Sequence, residues 1–213
     1  MMTPTAMVFV IDDDASMRKS LQRLLDAAQH KTELFKSASE FLSRSAHPGP
    51  SCVIVDVQMP GLNGIDFQKA LVERGREEQL VFITGHGDIP MCAEAMKAGA
   101  VDFLPKPFKP RQLLESVERA LARSTEQLLH ASEKNQARAR LERLTPREYE
   151  VMQLVATGLL NKQVGAELGM AEKTVKTHRA HVMQKLGITS VAELMGVLQK
   201  AEMPPMVRPG TKV

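Results

Sequence analysis

The sequence predicts an α/β domain, doubly wound around a parallel sheet, followed by an all-α domain of four helices containing a helix-turn-helix. Three observations predict this. Short apolar runs alternate with helically spaced segments through the first half, the pattern of a parallel sheet covered on both faces. Each of these runs stops at a group suited to chemistry: Asp12, Asp56, Thr84 and Lys106. The last third carries only helical periodicity, with a tight Gly169-Met170 turn between two of its helices.

Met7 to Ile11 is apolar on both faces, suits a buried parallel strand and ends in Asp12-Asp13-Asp14. Ser16 to Ala28 places Met17, Leu21, Leu24, Leu25 and Ala28 at helical spacing. Cys52 to Val55 is a second buried strand, stopped by Asp56, and Met59-Pro60-Gly61-Leu62-Asn63-Gly64 is a loop by composition. Ile65 to Val72 returns to helical spacing, and Leu80 to Ile83 is a strand ending at Thr84, Gly85 and Gly87. Pro90 to Ala98 reads as a helix closed by Gly99. Val101 to Leu104 is a strand before Pro105-Lys106-Pro107, and Lys109 to Ala122 is a helix. The pattern itself locates four strands.

From Ser124 the composition shifts. Glu126, His130, Glu133, Lys134 and Arg138 interleave with Leu128, Leu129, Ala137 and Leu141, without Pro or Gly, as in an exposed helical linker that could dimerise. Thr145, Pro146 and Glu148 then form an N-cap, a first helical position and a capping box, and Gly158 ends that helix. Lys162 to Leu168 is a short second helix, Ala171 or Glu172 to Lys185 a third ended by Gly187, and Ser190 caps a fourth. The expected domains are residues 1–124, a helical linker at 125–143, residues 144–201, and a disordered tail at 202–213 rich in Pro and Gly.

Composition excludes several classes. Hydrophobic residues are 43% of the 213 and charged residues 25%, an ordinary globular balance. The net charge of +3 permits nucleic-acid binding without arguing for it, so that case rests on local charge. Cys52 and Cys92 form no CxxC pair, which leaves structural burial ahead of metal binding or reactivity. The N-terminus lacks the pattern of a signal peptide, and no apolar run approaches the roughly 20 residues that span a bilayer, so a cytoplasmic protein without membrane contact is expected.

In a parallel sheet the carboxyl ends of the strands share one crevice, which brings Asp12, Asp13, Asp56, Thr84 and Lys106 together. Carboxylates beside a lysine and a hydroxyl suit magnesium and phosphate chemistry. Mg²⁺ needs only one or two protein carboxylates, and an aspartate can be the nucleophile of phosphoryl transfer. The arriving group brings about two negative charges, which Mg²⁺ and Lys106 would offset while Thr84 donates a hydrogen bond. A single Asp after a strand is usually a turn residue or a helix cap. Five such groups at strand ends, in order, make coincidence a poor account.

The blocks Val8-Phe9-Val10-Ile11-Asp12-Asp13-Asp14, Val55-Asp56-Val57-Gln58-Met59-Pro60-Gly61, Ile83-Thr84-Gly85-His86-Gly87-Asp88-Ile89-Pro90 and Asp102-Phe103-Leu104-Pro105-Lys106-Pro107-Phe108 resemble the signatures of response-regulator receivers, most of all the FixJ-type branch. The resemblance spans Met7 to about Arg123. It implies a flavodoxin-like receiver fold with a doubly wound five-stranded parallel sheet, and Asp56 as phosphoacceptor. It also implies an Mg²⁺ site from Asp13, Asp56 and the Gln58 carbonyl, with Asp12 acting through water. Thr84 and Phe103 would be paired switch residues, Lys106 a phosphate contact, and the Lys106-Pro107 bond a candidate for the cis form. A sensor histidine kinase is the implied phosphate donor.

Lys173, Lys176 and Arg179 recur at intervals of three, with Thr174, His178, His181 and Lys185 nearby, while Val175, Val182, Met183 and Leu186 supply a core stripe. Many Lys-rich helices are merely solvated faces. The tight turn and the short preceding helix favour a recognition helix in a major groove of double-stranded DNA. Leu144-Thr145-Pro146-Arg147-Glu148, Gly158-Leu159-Leu160-Asn161-Lys162-Gln163-Val164 and Lys173-Thr174-Val175-Lys176-Thr177-His178-Arg179 resemble the LuxR-type four-helix module. That resemblance implies phosphate contacts from Lys162, Thr174, Arg179 and Lys185, base contacts from Lys173, Lys176 and His178, and docking as dimers on paired half-sites.

The combined reading is a response regulator of the FixJ/NarL type. Phosphorylation of Asp56 would promote homodimerisation, through a face carrying Met91, Met96 and Ala100, and DNA binding that regulates transcription with RNA polymerase as a further partner. It would not be an enzyme, beyond at most slow self-dephosphorylation. Two other readings compete: an aspartyl-phosphate phosphatase or phosphotransferase, and an interaction protein that is never phosphorylated. The first lacks an evident second general acid and a substrate lid, and the intact acidic site speaks against the second.

Overall fold

The computed structural model describes residues 4–85 and 89–205. The chain divides into two compact units, Met1–Leu128 and Leu129–Val213.

In the first unit β1 (Met7–Ile11), β2 (Lys31–Phe35), β3 (Ser51–Asp56), β4 (Gln79–Thr84) and β5 (Asp102–Pro105) form one parallel sheet in the order β2-β1-β3-β4-β5. The strand without a signal of its own is β2. It lies at the edge and alternates exposed Lys31 and Glu33 with half-buried Thr32 and Leu34, so it never forms the apolar run that marks β1, β3 and β4. Successive residues of the central strands feed opposite cores. Phe9, Val53, Val55 and Phe82 meet Phe41, Phe67 and Leu71 on one face, and Val8, Val10, Ile54, Val81 and Ile83 meet Leu21, Leu25, Leu113 and Val117 on the other. Both faces of β3 and β4 are therefore dry, as expected of a sheet covered by helices on both sides.

The covering helices are α1 (Ala15–Ala27), α2 (Ala38–Leu42), α3 (Gly64–Glu73), α4 (Ile89–Lys97) and α5 (Pro110–Leu141). Asp14, Ser37 and Asn63 accept backbone N–H bonds at the N-termini of α1, α2 and α3. The expected helix from Lys109 and the expected linker at 125–143 are one helix of 32 residues. Charge alone does not break a helix, and no Gly or Pro interrupts this one after Pro110. Nor is the linker stretch wholly exposed: Ala137 and Leu141 are buried in the core of the second unit.

That unit holds α6 (Pro146–Ala156), α7 (Asn161–Leu168), α8 (Glu172–Leu186) and α9 (Val191–Lys200) around Val151, Met152, Val164, Val175, Val182, Leu194 and Leu198. Within the stretch expected to be a disordered tail, Met203 packs against this core, and 206–213 lie outside the described residues. Cys52 is buried, and burial pushes its thiol pKa far up, out of reach of ionisation. Cys92, on α4, is only half-buried. Among the described residues no helix is long and apolar enough to cross a membrane.

Candidate functional site

Parallel register carries the chemical groups to one edge of the sheet. Ile11 lies beside Val55, Asp56 beside Ile83, and Thr84 beside Pro105, so the residues at or just after the strand ends are neighbours. The Lys106 backbone N–H donates to the Thr84 carbonyl at 2.7 Å, which anchors the turn that aims its side chain back over the crevice. The Lys106 ammonium donates to Asp56 Oδ2 at 2.6 Å and to Asp12 Oδ2 at 3.0 Å. Asp12 Oδ1 accepts the Asp14 N–H at 2.8 Å, and Asp56 Oδ1 accepts the Gln58 N–H at 3.1 Å. The Lys106-Pro107 bond is cis.

Asp12, Asp56 and Thr84 are buried, while Asp13 is exposed at the mouth. Burial raises the Asp12 pKa above the ordinary carboxylate range, and the Asp14 N–H and Lys106 only partly oppose it. Burial pulls the Lys106 pKa down, but its hydrogen bonds and charge attraction to Asp56 and Asp12 outweigh that, so the net shift is upward and the ammonium stays charged. Oxygens of Asp12, Asp13 and Asp56 lie within 4.8 Å of one another. Three carboxylates face one ammonium, which leaves a surplus of negative charge on hard oxygen donors. That donor set, from Asp12, Asp13 and Asp56, fits Mg²⁺.

Sequence reasoning did not single out Arg18, whose guanidinium donates to the Asp12 carbonyl at 2.6 Å and ties α1 to the end of β1. The two residues expected to pair as a switch occupy different depths. Thr84 is fully buried, whereas Phe103 is half-buried and its ring tilts against Phe82 at 6.0 Å. The expected apolar face is redrawn. Ala100 is buried and Met91, on α4, is half-buried against the core, so the large exposed apolar side chains of α4 are Met96 and Ile89.

In the second unit α7 and α8 meet through a turn set by Gly169, which is left-handed at φ 64°. The Met170 N–H closes the turn on the Gly165 carbonyl at 2.9 Å. A Cβ on Gly165 would lie 2.6 Å from the Met170 carbonyl oxygen, so the two helices approach this closely only over glycine. The signal was a Gly inside a helical pattern. On α8 and at the start of α7, Lys173, Thr174, Lys176 and Lys162 are exposed, and His178 and Arg179 are half-buried. Arg179 donates to Asn161 Oδ1 at 3.1 Å. Lys185 donates to Glu148 Oε2 at 2.6 Å, the same carboxylate that closes the capping box at the Thr145 N–H. This brace was not foreseen. It occupies one of the three N–H donors of Lys185.

Two family descriptions match the chain: response regulator receiver domain over residues 8–118, and bacterial regulatory proteins of the luxR family over 142–198. The chain is a response regulator of the FixJ/NarL type. The regulator is 47% identical to Nodulation protein W of Bradyrhizobium diazoefficiens over 89% of its own length and 84% of that protein. It is 40% identical to the transcriptional regulatory protein FixJ of the same organism over 95% and 98%. Among solved structures, that of response regulator StyR superposes with a TM-score of 0.83 at 44% identity, covering 92% of the regulator and 99% of StyR. The regulator therefore controls transcription within a two-component system, its receiver domain answering to a histidine kinase and its LuxR-type domain binding DNA.

Proposed function

We propose that Asp56 is the phosphoacceptor and that its phosphorylation drives dimerisation and sequence-specific DNA binding. The observation that supports this most is the Lys106 ammonium 2.6 Å from the Asp56 carboxylate at the convergent ends of β3 and β5. An Asp56 oxygen attacks the phosphorus of a phosphohistidine on the kinase. A P–O bond forms as the P–N bond breaks, and the imidazole leaves with its electron pair. Lys106 offsets the charge gained, and the Thr84 hydroxyl donates to a phosphoryl oxygen. Mg²⁺, held by Asp13, Asp56 and the Gln58 carbonyl with Asp12 behind, supplies further charge neutralisation when bound. Thr84 moves toward the phosphoryl group, and Phe103 turns inward to fill the space, since packed cores do not keep such voids cheaply. The Met96 and Ile89 surface of α4 is remodelled with it.

A receiver dimer presents two LuxR-type domains together and raises their effective concentration at paired half-sites. Lys173 and Lys176 reach base edges, and Lys162, Thr174, Arg179 and Lys185 hold phosphates. RNA polymerase is the downstream partner in the cytoplasm. Hydrolysis of the acyl phosphate by the receiver itself is slow, and the chain turns over no separate substrate. Incubation with acetyl phosphate and Mg²⁺ should add one base-labile phosphoryl group that Asp56→Asn abolishes. Full labelling of the Asn variant at another residue would overturn the assignment.

A further inference from the structure

The two ring nitrogens of His178, on α8, are not equivalent. Nδ1 is closed off from solvent and has no hydrogen-bond partner among the described residues, whereas Nε2 is not closed off. A proton on Nδ1 would be an N–H with neither water nor an acceptor, which costs more than a lone pair left in the same place. The proton of the neutral ring therefore belongs on Nε2. His178 then presents one N–H donor outward and no outward acceptor.

The position of His178 around the helix says what that donor meets. Val175, Val182 and Leu186 are buried and mark the inner line of α8. At about 100° per residue, Lys173, Thr177 and Ala180 lie across from that line, and Lys176 lies about 100° from it on the side away from His178. On the same count His178 falls about 60° from the inner line, on the flank with Thr174, His181 and Lys185. The outermost residues of a recognition helix reach base edges, and its flanks meet the groove walls, where phosphates stand. A phosphate oxygen only accepts hydrogen bonds. It matches a fixed donor at every DNA sequence, as a base edge does not.

We propose that His178 is a neutral Nε2–H donor to a DNA backbone phosphate that fixes the orientation of α8 and reads no base. This rests on the reading of α8 as the recognition helix. It reassigns His178 from base contact to backbone contact and sets it apart from the lysines, because a neutral donor releases no counterion.

The test uses the full chain. With ¹⁵N-labelled histidine, the long-range ¹H–¹⁵N spectrum of the free protein should show His178 as the Nε2–H tautomer, and an Nδ1–H pattern would overturn the proposal without any variant. Binding is then measured on duplexes selected from a random pool by the wild-type chain and on an unrelated duplex of equal length. His178→Asn, whose amide cannot reach the Nε2 position, should weaken binding roughly tenfold on all of them and leave the salt slope unchanged. His178→Gln, whose amide nitrogen can, should restore most of it. Failure of the Gln variant to restore binding, despite an unfolding midpoint matching wild type, would overturn the phosphate contact. A loss confined to particular sequences would make His178 a base reader, and a slope smaller by about one would make it a charged contact; either overturns the proposal. If the wild-type chain retains no duplex, the recognition-helix reading itself falls, and this proposal with it.

Discussion

The Lys106 ammonium lies 2.6 Å from the Asp56 carboxylate, closer than the 3.0 Å separating it from Asp12. Among the described residues the ammonium of the crevice thus leans toward the proposed acceptor. Lys106→Met removes that cation and a charge-assisted hydrogen bond of about 1.5–3 kcal/mol. Phosphorylation by acetyl phosphate should slow by roughly 10- to 100-fold while Asp56 remains the labelled residue. An unchanged rate would show that Lys106 does not balance the transferred charge.

Gly64 begins α3 against the backbone of Asp56, the proposed acceptor. A Cβ there would lie 2.8 Å from the Asp56 carbonyl oxygen and 2.9 Å from the Val57 Cα, and backbone atoms cannot swing aside. Gly64→Ala should cost about 1–3 kcal/mol in urea unfolding, as overpacked sites do, and should slow phosphorylation by shifting Asp56. Wild-type values for both would show that the acceptor strand has more freedom than this packing allows.

Lys185 and the Thr145 N–H hold the Glu148 carboxyl at about 2, well below its usual 4.5. A carboxyl lowered by folding stabilises the fold above its unfolded value and loses that contribution as pH falls through the folded one. The C-terminal unit should therefore weaken between roughly pH 4.5 and pH 2. Glu148→Gln keeps a capping side chain but no charge, so its unfolding midpoint should be lower at neutral pH and flatter across that window. A pH profile parallel to wild type would separate Glu148 from acid sensitivity.

Lys176 and Lys162 should fail in different ways. Lys176→Ala is expected to lose about 1–3 kcal/mol on its best sites and to relax the sequence preference. Lys162→Ala should weaken all duplexes alike and lower the salt slope by about one. Indistinguishable profiles would mean that the division between bases and phosphates is misplaced.

Dimerisation can be weighed directly. Beryllofluoride with Mg²⁺ mimics the phosphoryl group and should raise the sedimentation coefficient at micromolar protein. Phosphate can shift that equilibrium only through unequal dimer affinity in the two states. DNA activation without any change in sedimentation would replace the dimer mechanism with relief of an inhibitory contact.

Legibility followed burial. β1, β3 and β4 declared themselves because both of their faces are dry, and each ended on a polar residue that the crevice needed. β2 did not, because an edge strand with Lys31 and Glu33 facing water looks like a loop. The boundary drawn at residue 124 followed a change in composition that the backbone of α5 ignores. Arg18 and the Glu148–Lys185 brace carry no local signature. The second joins residues 37 positions apart, which nothing short of the fold brings together.

Lys106 follows Asp12 by 94 positions, and Asp56 lies between them. A ribosome that has released only the first four strands has already exposed the acceptor, yet the lysine that balances it has not been synthesised. On the proposed reading, the growing chain answers its kinase only weakly until β5 is in place. Full responsiveness would then report that translation of the whole sheet is finished.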